Sequence, residues 1–221
     1  MLRGRLMKSQ NSTNSVYIIG AGGHGQVVLD VLLKSGISPA GFLDDDRALW
    51  GKNILGVPVF GGVLEAKKLS GKFIVAIGSN ETRKKIVEML NFPDDRYFTA
   101  IHPNAVLGED VRIGAGAMII GGVVINVQTK VGRHVIINTA SSVDHHNEIG
   151  DFVHIAPGSH TGGNVKIEEG SFLGIGVSVI PGVKIGKWSV VGAGATVISD
   201  IPAYSVAVGV PASVVKRRQV K

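Results

Sequence analysis

The stretch from Leu107 to Val197 places an aliphatic residue at every sixth position, and only Thr161 interrupts the series. A period of six fits neither an amphipathic helix, which repeats about every 3.6 residues, nor an ordinary strand, which repeats about every 2. Six-residue repeats are typical of a parallel β-helix, whose short strands stack coil upon coil. If three hexapeptides form one coil, residues eighteen apart lie in register, and about 90 residues of repeat give about five coils.

Two further positions of each hexapeptide follow the same frame. The residue two places before the aliphatic one is short or β-branched, as in Ala105, Ser141 and Ala195. A glycine follows the aliphatic residue in many units, and we expect it to relieve the strain of the corner. A β-sandwich with regular strands would not keep an unbroken six-residue frame, so a parallel β-helix is predicted for residues 101–221.

The residues before 100 follow a different pattern, in which strands and helices alternate. The predicted strands and helices are 16–19, 24–34, 40–43, 73–77 and 80–90, with Gly36 ending the first helix and Asn80 capping the second. This alternation predicts a small, Rossmann-like parallel sheet over residues 16–100. Residues 1–15 are polar and basic, lack the hydrophobic core of a secretory signal, and are expected to form a mobile tail.

The turn after the first predicted strand reads Gly20-Ala21-Gly22-Gly23-His24-Gly25, which satisfies the pattern G-x-G-x-x-G. Its glycines would let a phosphate approach the backbone at the start of a helix, and an acidic cluster that includes Asp44 and Asp45 follows about twenty residues later. Taken literally this is a dinucleotide fingerprint, but the residues before the repeats amount to barely half of a full doubly wound domain. A nucleotide sugar is therefore the favoured ligand, with a nicotinamide dinucleotide and a purely structural turn as alternatives.

Composition narrows the class of protein further. The 221 residues contain no cysteine, so no disulfide or thiolate chemistry is available. No apolar run approaches the roughly 20 residues of a membrane span, and the 5% of aromatic residues form no basic–aromatic motif for nucleic acid. The formal net charge of +6 lies largely in the two ends, which indicates either solvated termini or attraction of a polyanionic small molecule. We expect a cytoplasmic protein with no membrane insertion and no nucleic-acid partner.

Four of the seven histidines fall between residues 145 and 160. His145 and His146 occupy a turn between two hexapeptides, where side chains point away from the core, and Asp144 and Glu148 lie beside them. Histidines in such a turn are either solvated surface or an oriented imidazole that acts as a general base. A zinc site is the competing chemistry, but no cysteine is present to add a ligand, and no metal is expected.

Several segments, taken together, resemble one protein family. They are IIGAGGHG at 18–25, FLDD at 42–45, AIGSNETRKKI at 76–86, NTASSVDH at 138–145, HIAPG at 154–158, GNVKI at 163–167 and GVPA at 209–212. From Val16 to about Arg218 the chain resembles the bacterial sugar acetyltransferases of the left-handed β-helix class. The likeness is strongest to the N-acetyltransferases of UDP-4-amino sugars in bacillosamine-type glycan synthesis and to related sialic-acid O-acetyltransferases.

The resemblance implies a left-handed β-helix that forms a homotrimer, with acetyl-CoA bound between neighbouring chains. By the matching motif His145 is the general base, and His154 lies near the acetyl thioester. The implied coenzyme positions are Gly163, Ile175 and Ala193. The implied nucleotide-sugar positions are Gly22, Gly23, His24, Asp44, Asp45, Ile77 and Gly78. Relatives often carry an acidic residue just after the base, where this chain has His146, so Asp144 is the expected group that orients the base.

The expected reaction is acetyl transfer from acetyl-CoA to the amine of a UDP-linked 4-amino sugar. His145 would accept the proton that the amine must lose, and backbone N–H groups of Gly162 and Gly163 would stabilise the oxyanion. O-acetylation of sialic acid, a nicotinamide-dependent sugar oxidoreductase and a non-catalytic nucleotide-binding trimer are the alternatives. Because His145 and His154 are half a coil apart, both roles require a site built between two chains.

Overall fold

A computed structural model describes residues 15–218, and its first part is an α/β domain. The elements of this domain are β1 Val16–Ile19, α1 Gly23–Lys34, β2 Gly41–Leu43, β3 Asn53–Ile54, β4 Val57–Gly61, β5 Lys72–Val75 and α2 Asn80–Leu90, with short 3-10 helices at Arg47–Leu49, Val63–Lys68 and Asp94–Arg96. The tail expected at residues 1–15 lies outside the described residues, apart from Ser15.

The sheet of this domain has the order β3-β4-β2-β1-β5. Strand β1 is buried along its whole length and pairs in parallel with both β2 and β5. Four consecutive apolar residues are what a strand covered on both faces requires. The predicted small parallel sheet is confirmed, with an antiparallel pair of β3 and β4 added at one edge.

Several predicted boundaries of this domain differ from the structure by one or two residues. Asn80 does not cap α2, because Ser79 is the N-cap and its hydroxyl accepts a hydrogen bond from the Thr82 N–H. Asn80 is instead the first helical residue, and its buried amide donates to the second domain. Strand β5 ends at Val75 rather than residue 77, because the chain then leaves the sheet to contact that domain, and α1 begins one residue earlier than predicted.

The second part of the chain is the parallel β-helix, a triangular prism with three faces. Face 1 consists of Ala100–Ile101, Met118–Ile119, Ile136–Ile137, His154–Ile155, Phe172–Leu173, Val190–Val191, Ser205–Val208 and a last, antiparallel strand Ser213–Arg217. Face 2 consists of Val106–Leu107, Val124–Ile125, Ser142–Val143, His160–Thr161, Ser178–Val179 and Thr196–Val197. Face 3 consists of Arg112–Ile113, Lys130–Val131, Glu148–Ile149, Lys166–Ile167 and Lys184–Ile185.

Successive coils pair residues that are eighteen apart, as the repeat predicts. Val124 pairs with Ser142 on face 2, and Ile136 pairs with His154 on face 1. The aliphatic residue of each unit points into one continuous core, whereas Leu107 in the first coil stays partly exposed. Stacking therefore provides the burial that one coil alone lacks.

Short polar residues line the inside of the corners. The Ser141, Ser159 and Ser171 hydroxyls are buried, and each donates to a carbonyl oxygen fifteen residues ahead, at 2.9, 2.7 and 2.8 Å. These bonds satisfy corner carbonyls that the strand ladder does not reach. Thr161 takes an aliphatic place in the core, and its hydroxyl has no hydrogen-bond partner in the described part of the chain.

The glycines after the aliphatic residues act by close approach rather than by a left-handed backbone. A Cβ on Gly108, Gly150 or Gly174 would lie 2.6 Å from a backbone nitrogen of the next coil. The left-handed residue of the corner is two places further on, and several of these are not glycine, among them His134 and His146. The expectation that the glycine itself relieves the corner conformation is therefore wrong.

Helix α1 lies across the outer side of face 1. Val28, Leu29 and Leu32 form one buried cluster with Met118 and Ile136 of that face. The C-terminal end is tied to the first domain as well, since Arg218 pairs with Glu81 of α2. None of the helices within residues 15–218 has the length and apolar character needed to cross a bilayer.

Candidate active site

The fingerprint glycines of the segment Gly20–Gly25, the glycine loop, serve different physical purposes. Gly20 has a φ of 99°, which side-chain-bearing residues rarely adopt. A Cβ on Gly25 would overlap the carbonyl oxygen of Gly20, so Gly25 lets α1 pack tightly against the loop. A Cβ on Gly22 or Gly23 would meet nothing within 4 Å. The start of α1 is therefore open to a phosphate.

Of the two predicted acidic residues, Asp44 bonds the glycine loop and Asp45 bonds the backbone at Val63. Asp44 Oδ2 accepts a hydrogen bond from the Ala21 N–H at 2.8 Å, and its Oδ1 accepts from the Asp46 N–H at 2.8 Å. Asp45 Oδ1 accepts from the Val63 N–H at 2.8 Å. Both carboxylates thus organise backbone, and Oδ2 of Asp45 is the oxygen that no described residue engages.

Ile77 and Gly78 lie beside the glycine loop. A Cβ on Gly20 would lie 2.5 Å from the Cδ1 atom of Ile77, so these two segments are in direct contact. A Cβ on Gly78 would meet nothing within 4 Å, as at Gly22 and Gly23. The structure therefore brings the nucleotide-sugar positions of the resemblance together at one edge of the sheet, above face 1.

His24 of the glycine loop and His154 of face 1 meet where the two domains join. Their ring centroids are 6.3 Å apart. Burial, together with the nearby Arg83 charge, lowers the pKa of each to about 4. Both imidazoles are therefore neutral near pH 7. The buried Nε2 of His24 has no hydrogen-bond partner among residues 15–218.

The hydrogen bonds around His154 define which of its nitrogens carries the proton. The Thr139 N–H donates to Asn138 Oδ1 at 2.8 Å, which turns the Asn138 amide nitrogen toward His154 Nε2 at 3.3 Å. Since that amide can only donate, Nε2 is the acceptor. The proton is therefore on Nδ1, which lies 3.2 Å from the carbonyl oxygen of Gly78.

His145 lies elsewhere, on the corner between faces 2 and 3, with its side chain exposed as predicted. The buried side chain of Asn147 secures this turn by donating to the Asp144 carbonyl at 2.6 Å and the Gly162 carbonyl at 2.9 Å. Thr129 donates to the same Asp144 carbonyl at 2.9 Å. The hexapeptide pattern did not identify Asn147 and Thr129 as supports of the site, although both occupy its short-residue position.

The group that contacts the His145 ring is His146 rather than Asp144. The two Nδ1 atoms are 3.0 Å apart. Asp144 Oδ1 instead accepts from the His145 backbone N–H at 2.8 Å and from Asn126 at 2.8 Å. The Asn126 hydrogen bond, followed by the backbone one, lowers the pKa of Asp144. In this structure Asp144 shapes the turn, and the ring nitrogen of His145 is bonded to His146 rather than to the expected Asp144.

Gly163 lies against the His145 ring. A Cβ on Gly163 would overlap that imidazole, so only glycine leaves room for it. The Gly162 N–H donates to the Val179 carbonyl at 2.8 Å and cannot serve an oxyanion. The Gly163 N–H donates to no group in the described part of the chain. Of the two N–H groups expected to stabilise the oxyanion, only that of Gly163 is therefore available.

The other two predicted coenzyme positions occupy a different corner. Ile175 and Ala193 lie one coil apart between faces 1 and 2, and the Gly194 N–H donates to the Ile175 carbonyl at 2.8 Å. Ile175 is 63% exposed. Within one chain, face 2 separates these residues from His145 and Gly163. Among residues 15–218, no three His, Cys, Asp or Glu side chains come close enough together to hold a metal ion.

A nucleotide-type glycine loop joined to a left-handed β-helix defines a two-domain transferase of the hexapeptide-repeat class. Residues 15–90 match the PglD N-terminal domain model, and residues 164–199 match the bacterial transferase hexapeptide model, six repeats. A GDP-perosamine N-acetyltransferase of Escherichia coli O157:H7 is 33% identical over 80% of this chain and 82% of its own length. The chain belongs to this family of sugar N-acetyltransferases.

Two further relatives show how far the likeness extends. A UDP-N-acetylbacillosamine N-acetyltransferase of Bacillus subtilis is 38% identical, but the match spans only 48% of this chain and 50% of that enzyme. The crystal structure of PerB from Caulobacter crescentus, in complex with CoA and GDP-perosamine, superposes with a TM-score of 0.85 at 40% identity. That match covers 92% of this chain and 98% of PerB. The fold of both domains is thus shared with a solved relative.

Proposed function

We propose that this chain transfers the acetyl group of acetyl-CoA to the amine of a nucleotide-linked 4-amino sugar. The observation that carries the proposal is the contact between His145 and Gly163, which sets an exposed imidazole beside an unused backbone N–H. Acyl transfer needs these two groups side by side, one to remove a proton and one to stabilise an oxyanion. The similarity to a GDP-perosamine N-acetyltransferase over 80% of this chain supports the same reaction class.

The imidazole pair supports a specific proton arrangement. If the Nδ1–H of His145 donates to Nδ1 of His146, Nε2 of His145 is the free acceptor. An ammonium group is not nucleophilic, so the sugar amine must lose a proton, and Nε2 would accept it. The amine then forms the new C–N bond, the C–S bond of the thioester breaks, and the coenzyme thiolate takes up a proton. No covalent enzyme intermediate is required.

The acceptor sugar would be held by the first domain. The nucleotide diphosphate would lie at the start of α1, over Gly22 and Gly23, where the helix offers free N–H groups and the positive end of its dipole. Asp45 Oδ2 is the free acceptor for a ligand hydroxyl or amide. His24, Ile77 and Gly78 would line the end of this region that faces His154.

The two histidine sites would combine between chains. His145 lies on the corner between faces 2 and 3, and His154 lies on face 1, beneath the first domain. A homotrimer of prisms, which the family resemblance implies, would bring the His145 corner of one protomer to the His154 region of its neighbour. Acetyl-CoA would then lie in the groove between them, along the Ile175 and Ala193 corner.

The test is the release of free thiol from acetyl-CoA in the presence of a panel of acceptors. UDP-linked and GDP-linked 4-amino sugars form the two main arms, sialic acid tests O-acetylation, and a 4-hydroxy sugar nucleotide is the matched control. We expect thiol release with one of the amino sugars and none with its hydroxy analogue. Release with sialic acid alone would replace the proposal with O-acetylation. Binding of reduced nicotinamide without any thiol release would favour the oxidoreductase.

A further inference from the structure

Arg83 of α2 is a fully buried arginine that pairs with no carboxylate among residues 15–218. Its relative exposure is 0%, and every hydrogen bond that it donates goes to a carbonyl or amide oxygen. Its nearest acidic influence, Glu81, is itself paired with Arg218. Burying a guanidinium without a counter-ion costs free energy. Ion pairing therefore does not account for the buried position of Arg83.

The oxygens that Arg83 contacts belong to both domains. Nε donates to the His134 carbonyl at 2.8 Å and Nη2 to the Phe152 carbonyl at 2.8 Å. These two carbonyls are eighteen residues apart, so they occupy the same place on consecutive coils. The neighbouring Asn80 extends the column by donating to the Gly170 carbonyl of the following coil at 3.0 Å.

The remaining guanidinium nitrogen turns back toward the nucleotide-sugar positions. Nη1 donates to the Ile77 carbonyl at 2.7 Å and lies 3.4 Å from the Gly78 carbonyl. The same Gly78 carbonyl accepts the Nδ1–H of His154 at 3.2 Å. Rotation of the Gly78 peptide would therefore disturb Arg83 and His154 together. The planar fork of an arginine can reach all of these oxygens at once, and a lysine ammonium cannot.

We propose that Arg83 is a positioning residue for the transferase reaction: it fixes the Gly78 carbonyl, and through that carbonyl it fixes the His154 ring and its Nδ1–H tautomer. The proposal rests on the proposed function only in assigning Gly78 and His154 to the ligand site. Burial and the Arg83 charge both lower the pKa of His154, in keeping with a ring held neutral for use as a hydrogen-bond acceptor at Nε2. Arg83 itself touches no substrate.

The tautomer is measured directly on the full-length protein, by long-range ¹H–¹⁵N NMR of the histidine rings without ligands. The wild type should show the Nδ1–H form at His154 and no titration of that ring above about pH 5. Arg83→Lys keeps the charge but loses the fork, so the single tautomer should be lost. Arg83→Met also removes the charge, so the pKa of His154 should rise. An Nε2–H tautomer in the wild type would overturn the proposal without any variant.

Arg96→Lys is the matched control. Arg96 also bonds only carbonyls, those of Gly71 at 2.6 Å and Leu69 at 2.9 Å, but on the far side of the first domain. It should lower stability without changing the His154 signals. In turnover assays Arg83→Lys should raise KM for the nucleotide sugar about 10-fold, and the Arg96→Lys KM should stay within about twofold of wild type. Folded Arg83 variants with unchanged His154 signals and unchanged KM would mean that Arg83 only joins the domains.

Because the NMR signals need no substrate, they test Arg83 separately from the reaction. An unchanged tautomer in active enzyme refutes the positioning role and leaves the transferase proposal intact. If Arg83→Lys loses the tautomer but the wild-type protein releases no thiol with any acceptor, the transferase proposal alone is refuted.

Discussion

The two histidine sites of this chain are built by opposite means. His154 is 8% exposed and is held by both domains, with a partner on each ring nitrogen. His145 stands exposed on a corner of the β-helix, and a neighbouring imidazole is its one ring partner among the described residues. A buried, fully bonded ring suits the holding of a ligand, whereas an exposed ring with a free Nε2 suits proton transfer.

This contrast explains why one polypeptide carries both groups without bringing them together. A prism places its corners and faces at fixed angles, so residues half a coil apart cannot approach each other. The repeat fixes the position of each histidine within one chain, and assembly of several prisms would bring the two histidines together. Variants of either histidine test this division of roles.

His145→Ala should lower kcat by about 10²–10⁴, because the amine would have no base to accept its proton. Binding of the sugar nucleotide by calorimetry should persist, since the glycine loop is in the other domain. His160→Ala is the control, because His160 is also an exposed histidine, bonded to Ser142 one coil away. Near-normal turnover of the His145 variant would remove this residue from the mechanism.

Co-refolding tests whether one site draws on two chains. His145→Ala and His154→Ala proteins should each be poorly active. After they are unfolded together and refolded in equal amounts, about one interface in four should hold both intact histidines, which is one half times one half. Activity should therefore recover to about a quarter of wild type, measured by thiol release.

The control for co-refolding is each variant refolded alone. Mixed trimers that are seen by native mass spectrometry and yet show no recovered activity would place the whole site within one chain. High activity of His154→Ala alone would show instead that this histidine is dispensable.

Gly23→Val tests the glycine loop. A Cβ added at Gly23 meets nothing within 4 Å, so we expect the fold to tolerate valine, whose added carbons would fill the space assigned to the nucleotide sugar. Affinity for the sugar nucleotide should fall about 100-fold, measured by calorimetry, with acetyl-CoA affinity nearly unchanged. Gly25→Ala is the contrasting variant, because its Cβ would overlap Gly20 and should damage folding itself. Tight binding of NAD by the wild type, and of no sugar nucleotide, would contradict the assignment.

The residue that orients His145 can be identified by comparing His146→Ala with Asp144→Asn. Because His146 contacts the ring and Asp144 bonds the backbone, we expect the His146 variant to lose more turnover, about 10-fold. Asn can still accept the backbone hydrogen bond through its amide oxygen, so the Asp144 variant should keep most activity. The reverse order in kcat would indicate that Asp144 orients the base, as expected from the sequence.

The β-helix could be predicted from the sequence because each of its rules is local. The period of six sets the strands, and the eighteen-residue register follows from three strands per coil. The glycine loop was also predictable, since the three glycines of its fingerprint, Gly20, Gly22 and Gly25, lie within six residues. Thr161 shows that the repeat tolerates an exception, because one polar residue at the aliphatic position leaves the coil intact.

Contacts between distant segments could not be predicted in the same way. Nothing in the sequence pattern around Arg83 distinguishes it from the surface lysines that follow it, yet it becomes the buried link between domains. The group bonded to the His145 ring is His146 and not the expected Asp144. His146 has a left-handed backbone, with φ 57°, at the corner of the coil. Side-chain direction at a corner is set by coil geometry, and the motif does not encode it.

The histidines with lowered pKa values make the stability of the chain depend on pH. Burial lowers the pKa of His24, His134 and His154 to about 4, whereas an unfolded chain has a histidine pKa near about 6.5. Between these values the unfolded chain binds more protons than the folded one. The free energy of unfolding should therefore be constant above about pH 6.5 and fall as pH decreases toward 4, by at most about 2–3 kcal/mol per histidine.

His134→Phe should reduce that slope by about a third, since one of the three histidines with a lowered pKa is removed. Phenylalanine can keep the packing, because His134 stacks on Phe152 with centroids 5.2 Å apart and meets Tyr97 edge-on at 4.5 Å. Ile74→Val, which titrates nowhere, should lower stability equally at every pH. Urea unfolding at several pH values between 4.5 and 7.5 measures both slopes. An unchanged slope in His134→Phe would mean that His134 gains its proton without unfolding, and that the contrast between buried and exposed imidazoles is weaker than the structure indicates.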